Sequence, residues 1–218
     1  MELTSYSGPV LVSGTQAAIC ERGEASPIGN STWENALDPF PIARGAAFNT
    51  FTTAKDVSPT PLPVVYGNEL RVGSKVELEA WGEYSGVTGN TFRLGFAYGI
   101  TSAGGLLSTG IELCGTALTA MGTTPTAWPW HLHYGGVITA VGTSGVIYGS
   151  GILDLGSSLT AIGAFAMPVT AAARSRTPFD TTIQKAFSVF AEFGTSAAGN
   201  QVIVDKFTAH ILNQGKTA

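Results

Sequence analysis

The sequence predicts an all-β protein, an antiparallel two-sheet sandwich of jelly-roll-like form with an extended N-terminal arm. The first observation is the alternation of apolar and polar residues on both sides of a short loop between Glu69 and Gly99, which is typical of strands. The second is a series of strand-length segments separated by turn residues, with no helical stripe sustained over three turns. The third is a front segment interrupted by glycine and proline.

The front segment, residues 1–45, is the predicted arm. It shows neither a helical nor a strand period, and glycines and prolines recur along its whole length. Its apolar residues could lie along a partner or along the protein's own sandwich, and the sequence leaves both open. Residues 46–218 are predicted to form one domain, because all-β domains of this size are often undivided. The candidate interface residues of the arm are Val10, Leu11, Val12, Trp33 and Phe40.

Two strands around the loop, residues 75–84 and 91–98, are predicted to organise the sandwich. Each has an apolar row for the core and a polar row for solvent. In a hairpin, paired residue numbers that sum to 176 place Glu83 opposite Arg93 and Trp81 over Gly95. In a jelly roll the two strands could instead enter opposite sheets, and their apolar rows would then meet across the core. The sequence leaves both arrangements open. The apolar row of the first strand is Val76, Leu78, Ala80, and that of the second strand is Phe92, Leu94, Phe96.

Trp81 breaks the pattern of its strand. It lies on the polar face, between Glu79 and Glu83, where a large apolar ring is not expected to remain in water. We therefore expect Trp81 to be covered by Gly95, by the arm or by a neighbouring subunit.

The remaining elements follow in chain order. A short strand is predicted at residues 47–53, and the prolines at positions 59, 61 and 63 then favour an extended connector. Residues 181–193 are the only segment that could also form a helix, but their apolar and polar residues alternate as in a strand. Further strands are predicted at Leu106–Cys114, Thr116–Met121, Trp130–Tyr134, Val137–Val141, Gly145–Leu155, Leu159–Val169, Thr182–Phe193 and Gln201–Leu212.

Composition excludes several classes of function. The net charge is −4 with no basic stripe, so direct DNA or RNA binding is not expected. Apolar runs are interrupted well before about 18 residues, so no membrane-spanning helix is expected. The front residues lack the pattern of a secretory signal, so no signal peptide is expected. Cys20 and Cys114 lie far apart in the sequence and could form a disulfide only if the fold brings them together.

The middle of the chain is almost free of charge. From residue 113 to residue 173 the only charged residue is Asp154, although the whole chain has 12% charged residues. Outward-facing positions of a monomeric sandwich normally include charges, whereas the cores of interfaces are depleted of them. The run therefore predicts a homo-oligomer with closed symmetry. The alternative is a surface kept in solution by threonine and serine.

Signatures of catalysis and metal binding are weak. His131 and His133 project from one face of a predicted strand, as in cupin metal sites, but the glutamate expected after them is missing, and His210 is the only other histidine. No nucleophile elbow or phosphate loop is present. We therefore expect structural histidines, no enzyme, no cofactor and no metal.

Four segments share a pattern of glycines and apolar residues. They are the entry motif Leu70, Val72, Gly73, Val76, Leu78, the strand Thr91, Phe92, Leu94, Gly95, Phe96, Tyr98, Gly99, the segment Pro129, Trp130, Leu132, and GTSGVIYGSG at residues 142–151. Together they resemble the β-sandwich virion proteins of tailed bacteriophages. The resemblance covers residues 47–212 and implies a jelly-roll-like sandwich, trimeric assembly and a place on the particle surface as a capsid decoration or head-fibre protein. The partners it implies are further copies of the chain and the major capsid protein or other virion proteins.

The expected function is that of a non-enzymatic capsid decoration protein anchored by its arm. Trp81 and Trp128 complete the candidate interface residues. The first alternative is a phage tail or baseplate component that presents a face to a host-surface glycan. A secreted trimeric jelly-roll ligand and a cupin-like metalloenzyme are the remaining alternatives.

Overall fold

The computed structural model describes residues 47–59, 62–100, 104–120, 124–158, 161–168 and 174–212. The predicted arm, with Cys20, lies outside the described residues. The strands are β1 (Phe48–Asn49), β2 (Lys55–Asp56), β3 (Val64–Val65), β4 (Lys75–Ser85), β5 (Thr91–Tyr98), β6 (Ile111–Gly115), β7 (Thr119–Ala120), β8 (Trp128–Ala140), β9 (Val146–Ser158), β10 (Ala161–Met167), β11 (Ser175–Arg176), β12 (Lys185–Phe193) and β13 (Gln201–Leu212), with a 3₁₀ turn at Leu107–Thr109.

The strands form two antiparallel sheets. The larger sheet has the order β1-β13-β4-β8-β9-β10, with β11 paired to β9. The smaller sheet has the order β2-β12-β5-β6, with β3 paired to β12 and β7 paired to β5. The predicted all-β, two-sheet sandwich is confirmed. No helix among the described residues is long and apolar enough to cross a membrane.

Strands β4 and β5 lie in opposite sheets, so the hairpin arrangement is wrong and the alternative, with the two strands in opposite sheets, holds. Strand β4 pairs with β13 and β8, whereas β5 pairs with β12 and β6. The connection from β12 to β13 likewise crosses between the sheets, and Asn90 joins the two crossing loops: its Nδ2 donates to the Thr195 carbonyl at 3.0 Å, and its Oδ1 accepts from the Thr195 N–H at 2.9 Å. The two crossings are therefore tied together at one end of the sandwich.

Aromatic side chains fill the space between the sheets. Tyr84 of β4 stacks on Phe92 of β5, with ring centroids 5.1 Å apart and planes at 7°. Phe96 lies 5.7 Å from Phe207 and 6.4 Å from Tyr134, measured between centroids, and all of these rings are buried. Removing one such ring typically costs about 3–5 kcal/mol. The predicted apolar rows of β4 and β5 thus meet across the core.

Strand β8 corrects the prediction of two strands separated at Gly135 and Gly136. The strand is continuous from Trp128 to Ala140. A Cβ on Gly136 would lie 2.7 Å from the Tyr134 hydroxyl oxygen, and one on Gly149 of the neighbouring strand would lie 2.4 Å from it. These two glycines therefore provide space for the tyrosine ring, as glycine does where an aromatic side chain packs across a sheet, and they do not form a turn.

Several predicted strands begin or end elsewhere for local reasons. Strand β1 stops at Asn49 because Thr50 has a positive φ of 51°. The 3₁₀ turn replaces the start of the strand predicted from Leu106, since the Thr109 hydroxyl and N–H both bond back to the Leu106 carbonyl. Strand β12 begins at Lys185, because Thr182 donates twice to the Asp180 carboxylate in a turn. Between Thr116 and Ala120 only Thr119–Ala120 is a strand.

Candidate functional site: the outer face of the larger sheet

One row of side chains crosses the outer face of the larger sheet. The register places Lys206 of β13 opposite Trp81 of β4, Trp81 opposite His131 of β8, and His131 opposite Asp154 of β9. Ala164 of β10 lies opposite Asp154 and ends the row. Directly opposed residues of antiparallel strands point to the same side of a sheet, so five strands place these side chains on one surface.

Trp81 is covered by its neighbours within the row. The Lys206 Nζ lies 4.7 Å from the centroid of the Trp81 ring, and the His131 ring meets it edge-on with centroids 6.2 Å apart. An ammonium over an indole is a favourable cation–π contact. The expected cover by Gly95 is wrong, because Gly95 belongs to β5 in the other sheet. The arm, which was the second expected cover for Trp81, lies outside the described residues. Cover of Trp81 by a neighbouring subunit stays a prediction.

His131 is held between two carboxylates. Its Nε2 lies 2.9 Å from Glu79 Oε1, and its Nδ1 lies 4.0 Å from Asp154 Oδ2. His133 is exposed on the same outer face, so both imidazoles of the predicted pair point away from the core. His210 lies opposite Glu77 on β13. In the described part of the chain, no group of three or more His, Cys, Asp and Glu residues is arranged to hold a metal ion.

A groove runs along one side of this row, with a volume of about 450 Å³. Gly156 lies between Pro129 and Ile162 on the face, and its missing side chain leaves the depression open. The Tyr84 hydroxyl supports this point from the core side by donating to the Gly156 carbonyl at 2.5 Å. Among the residues that line the groove are Trp81, Pro129, His131, Asp154, Ile162 and Asp205.

Beyond the groove, the outer face of β8, β9 and β10 carries exposed apolar side chains together with the polar His133, Thr139 and Ser150. Its largest apolar members are Val137, Tyr148, Ile152 and Ile162, which are 38%, 50%, 51% and 69% exposed. Ala164 and Ala166 are exposed on the same side of β10. We call these six residues the apolar face, and one of them, Ile162, also lines the groove. All of them belong to the uncharged run, and Asp154 lies at the border between the apolar face and the groove.

Trp128, the second tryptophan predicted as an interface residue, lies at the start of β8. Its ring meets Tyr84 edge-on, with centroids 6.4 Å apart and planes at 89°, and it packs partly against the core. The other candidate interface residues, Val10, Leu11, Val12, Trp33 and Phe40, lie outside the described residues.

The ionisable groups of the smaller sheet have structural partners. Arg93 pairs with Glu112 and with Glu192, and its Nε donates to the Thr116 carbonyl at 2.9 Å. Burial raises the pKa of the Cys114 thiol to about 12, which keeps the sulfur protonated and unreactive at neutral pH. Burial also raises the pKa of Asp56, whose carboxylate accepts the backbone N–H groups of Ser58 and Gly104.

Sequence reasoning identified Trp81 as unusual and His131 as a candidate, but it missed Lys206, Asp154 and Ile162 as their neighbours. These residues lie on three other strands, and their juxtaposition depends on strand order and register. The only available signal was that Asp154 is the single charge in the uncharged run. No protein-family model, curated protein or solved structure matches this chain.

Proposed function

We propose that this chain is a non-enzymatic structural protein that assembles with further copies of itself through the apolar face. The observation that supports the proposal is the exposure of Val137, Tyr148 and Ile152 on β8 and β9, two strands that contain one charged residue. Contiguous exposed apolar surface on a folded protein is typical of an interaction site. Depletion of charge at its centre is typical of the core of a protein–protein interface.

The setting we propose is the surface of a tailed-phage particle, with a homotrimer as the assembled unit. The support is the resemblance of residues 47–212 to virion sandwich proteins, together with the apolar residues of the arm. The arm would bind the major capsid protein or a neighbouring virion protein. Because a decoration protein binds only the assembled shell, it would stabilise that shell by mass action.

The second candidate is a tail or baseplate component that binds a host-surface glycan. The observation that favours it is the groove beside Trp81, which is separate from the centre of the apolar face. Both candidates share the same assembly, and they differ in what the exposed surface of the assembled protein binds.

The test compares the full chain with a variant that lacks residues 1–45. Light scattering measures the oligomeric state, and co-sedimentation with empty phage heads measures binding. We expect both proteins to be trimeric and only the full chain to bind heads. A full chain that stays monomeric at high concentration would contradict assembly, and undiminished binding by the truncated variant would contradict the anchoring role of the arm.

A further inference from the structure

We propose that the groove between Trp81 and Ile162 binds one or two units of a neutral saccharide. The proposal deepens the tail-component candidate, and it does not depend on assembly through the apolar face. The groove volume of about 450 Å³ is in the range of small-molecule sites, roughly 300–1,000 Å³.

The walls of the groove are mainly apolar. Trp81, Pro129 and Ile162 present ring and aliphatic surface, and Gly156 leaves the floor open between the last two. Pyranose rings have C–H faces that pack on such surfaces, since aromatic and aliphatic walls exclude water from them. Ile162 is 69% exposed, so this wall has surface to bury when a ligand enters.

The polar groups at the groove include both acceptors and donors. The Asp154 side chain is 46% exposed and the His131 side chain is 43% exposed, so a ligand can reach both. Asp154 can accept hydrogen bonds. His131 Nε2 is already bonded to Glu79, and its Nδ1 can donate or accept according to the tautomer. A sugar hydroxyl also does both, so a polyol matches this set.

Charge argues against two other ligand chemistries. The Asp154 carboxylate lines the groove and its side chain is 46% exposed, so an anionic sugar would meet repulsion there. The Lys206 ammonium lies 4.7 Å from the centroid of the Trp81 ring, so a cationic ligand close to that ring would meet a like charge. An uncharged ligand avoids both penalties.

The experiment titrates the full-length protein with neutral disaccharides by calorimetry and saturation-transfer NMR. The probes are lactose, maltose, cellobiose and N,N′-diacetylchitobiose, with sialyllactose as the anionic probe and tetramethylammonium as the cationic probe. The variants are Trp81→Ala, Trp81→Phe and Asp154→Asn. The matched control is Glu77→Gln, which changes an exposed carboxylate of the same strand away from the groove.

We expect at least one neutral disaccharide to bind with one site per chain. Its affinity should fall by about tenfold or more in Trp81→Ala, less in Trp81→Phe, and measurably in Asp154→Asn, with no change in Glu77→Gln. Circular dichroism checks that each variant is folded, and the graded order of the two Trp81 variants separates lost contact from lost structure.

Three results would overturn the proposal. The first is no saturable binding of any neutral disaccharide up to about 50 mM. The second is preferential binding of the anionic or the cationic probe. The third is a change of oligomeric state in Trp81→Ala and Asp154→Asn without any saccharide binding, which would make the groove part of a subunit contact. Saccharide binding that persists in a monomeric Tyr148→Lys variant would support the groove as a site within one chain. Saccharide binding to a Tyr148→Lys variant that stays oligomeric would support the groove and contradict only the assembly proposal.

Discussion

Trp81 and His131 face each other across strands β4 and β8, with ring centroids 6.2 Å apart and planes at 63°. The pair lies at the middle of the row that also contains Lys206 and Asp154. A tryptophan on a polar face is thereby placed between a cation and an imidazole, on the outer surface of the sheet. Trp81 and His131 also form one side of the groove. Trp81 does not fit the alternating pattern of β4, and its contacts with Lys206 of β13 and His131 of β8 account for its position.

The Tyr84 hydroxyl is expected to contribute to stability. In Tyr84→Phe the buried Gly156 carbonyl loses its donor, so the free energy of unfolding should fall by about 1–3 kcal/mol in chemical denaturation. The control is Tyr148→Phe at a half-exposed tyrosine, which should change stability by no more than about 0.5 kcal/mol. Equal effects of the two substitutions would contradict the role of this hydrogen bond.

Tyr84 should also make stability sensitive to high pH. Burial raises the pKa of Tyr84 to about 12 from its usual value of 10.0. The folded state therefore holds this proton more tightly than the unfolded state, so the stabilisation is complete below pH 10 and is lost as the pH rises towards 12. Between pH 10 and pH 12, the free energy of unfolding should depend less on pH in Tyr84→Phe than in the unchanged protein. An equal pH dependence in the two proteins would contradict the raised pKa of Tyr84.

Arg93 is expected to hold the outer side of the smaller sheet together. In Arg93→Ala, Glu112 and Glu192 lose their shared cation and the Thr116 carbonyl loses a donor. The Arg93 side chain is only 23% exposed, so water screens its ion pairs incompletely. We therefore expect Arg93→Ala to lower the free energy of unfolding by about 1.5–3 kcal/mol. Arg71→Ala at an exposed position is the control. A loss below about 0.5 kcal/mol would mean that water replaces these contacts.

Tyr148 is expected to lie at a subunit contact. A lysine in Tyr148→Lys places an unpaired charge on the apolar face, so the oligomer should dissociate at concentrations where the unchanged protein is assembled. The control is Tyr66→Lys, because Tyr66 is 47% exposed, close to the 50% of Tyr148, but lies outside the apolar face. Light scattering measures both, and an oligomer that survives Tyr148→Lys would contradict assembly through this surface.

Cys114 is expected to resist thiol reagents in the native protein. With a pKa of about 12 its thiolate population at pH 8 is about a thousandfold below that of a thiol at the reference value of 9.0. In a Cys20→Ser variant, which leaves one thiol, a chromogenic disulfide should react only after denaturant is added. Rapid stoichiometric reaction of the folded protein would show that the sulfur is reached by solvent.

The sequence predicted those parts of the fold that depend on local pattern. The alternation identified the core row of β4, and strand β13 has the predicted bounds, Gln201–Leu212. The uncharged run predicted that other subunits cover the outer faces of these strands, and this stays a prediction. In the single chain, Tyr148 and Ile152 are exposed on that face. The division at Gly135 and Gly136 was wrong because glycine has two uses, in turns and beneath an aromatic ring, and the sequence does not distinguish them.

By itself, the sequence determined the two-sided strands, the all-β class and the near absence of charge along residues 113–173. Only the tertiary structure decided that β4 and β5 enter opposite sheets, and that Lys206, Trp81, His131 and Asp154 form one row. The physical reason is that period two assigns each side chain to a face, whereas the neighbours on that face are set by hydrogen bonding between strands distant in the chain. The groove is a property of that register.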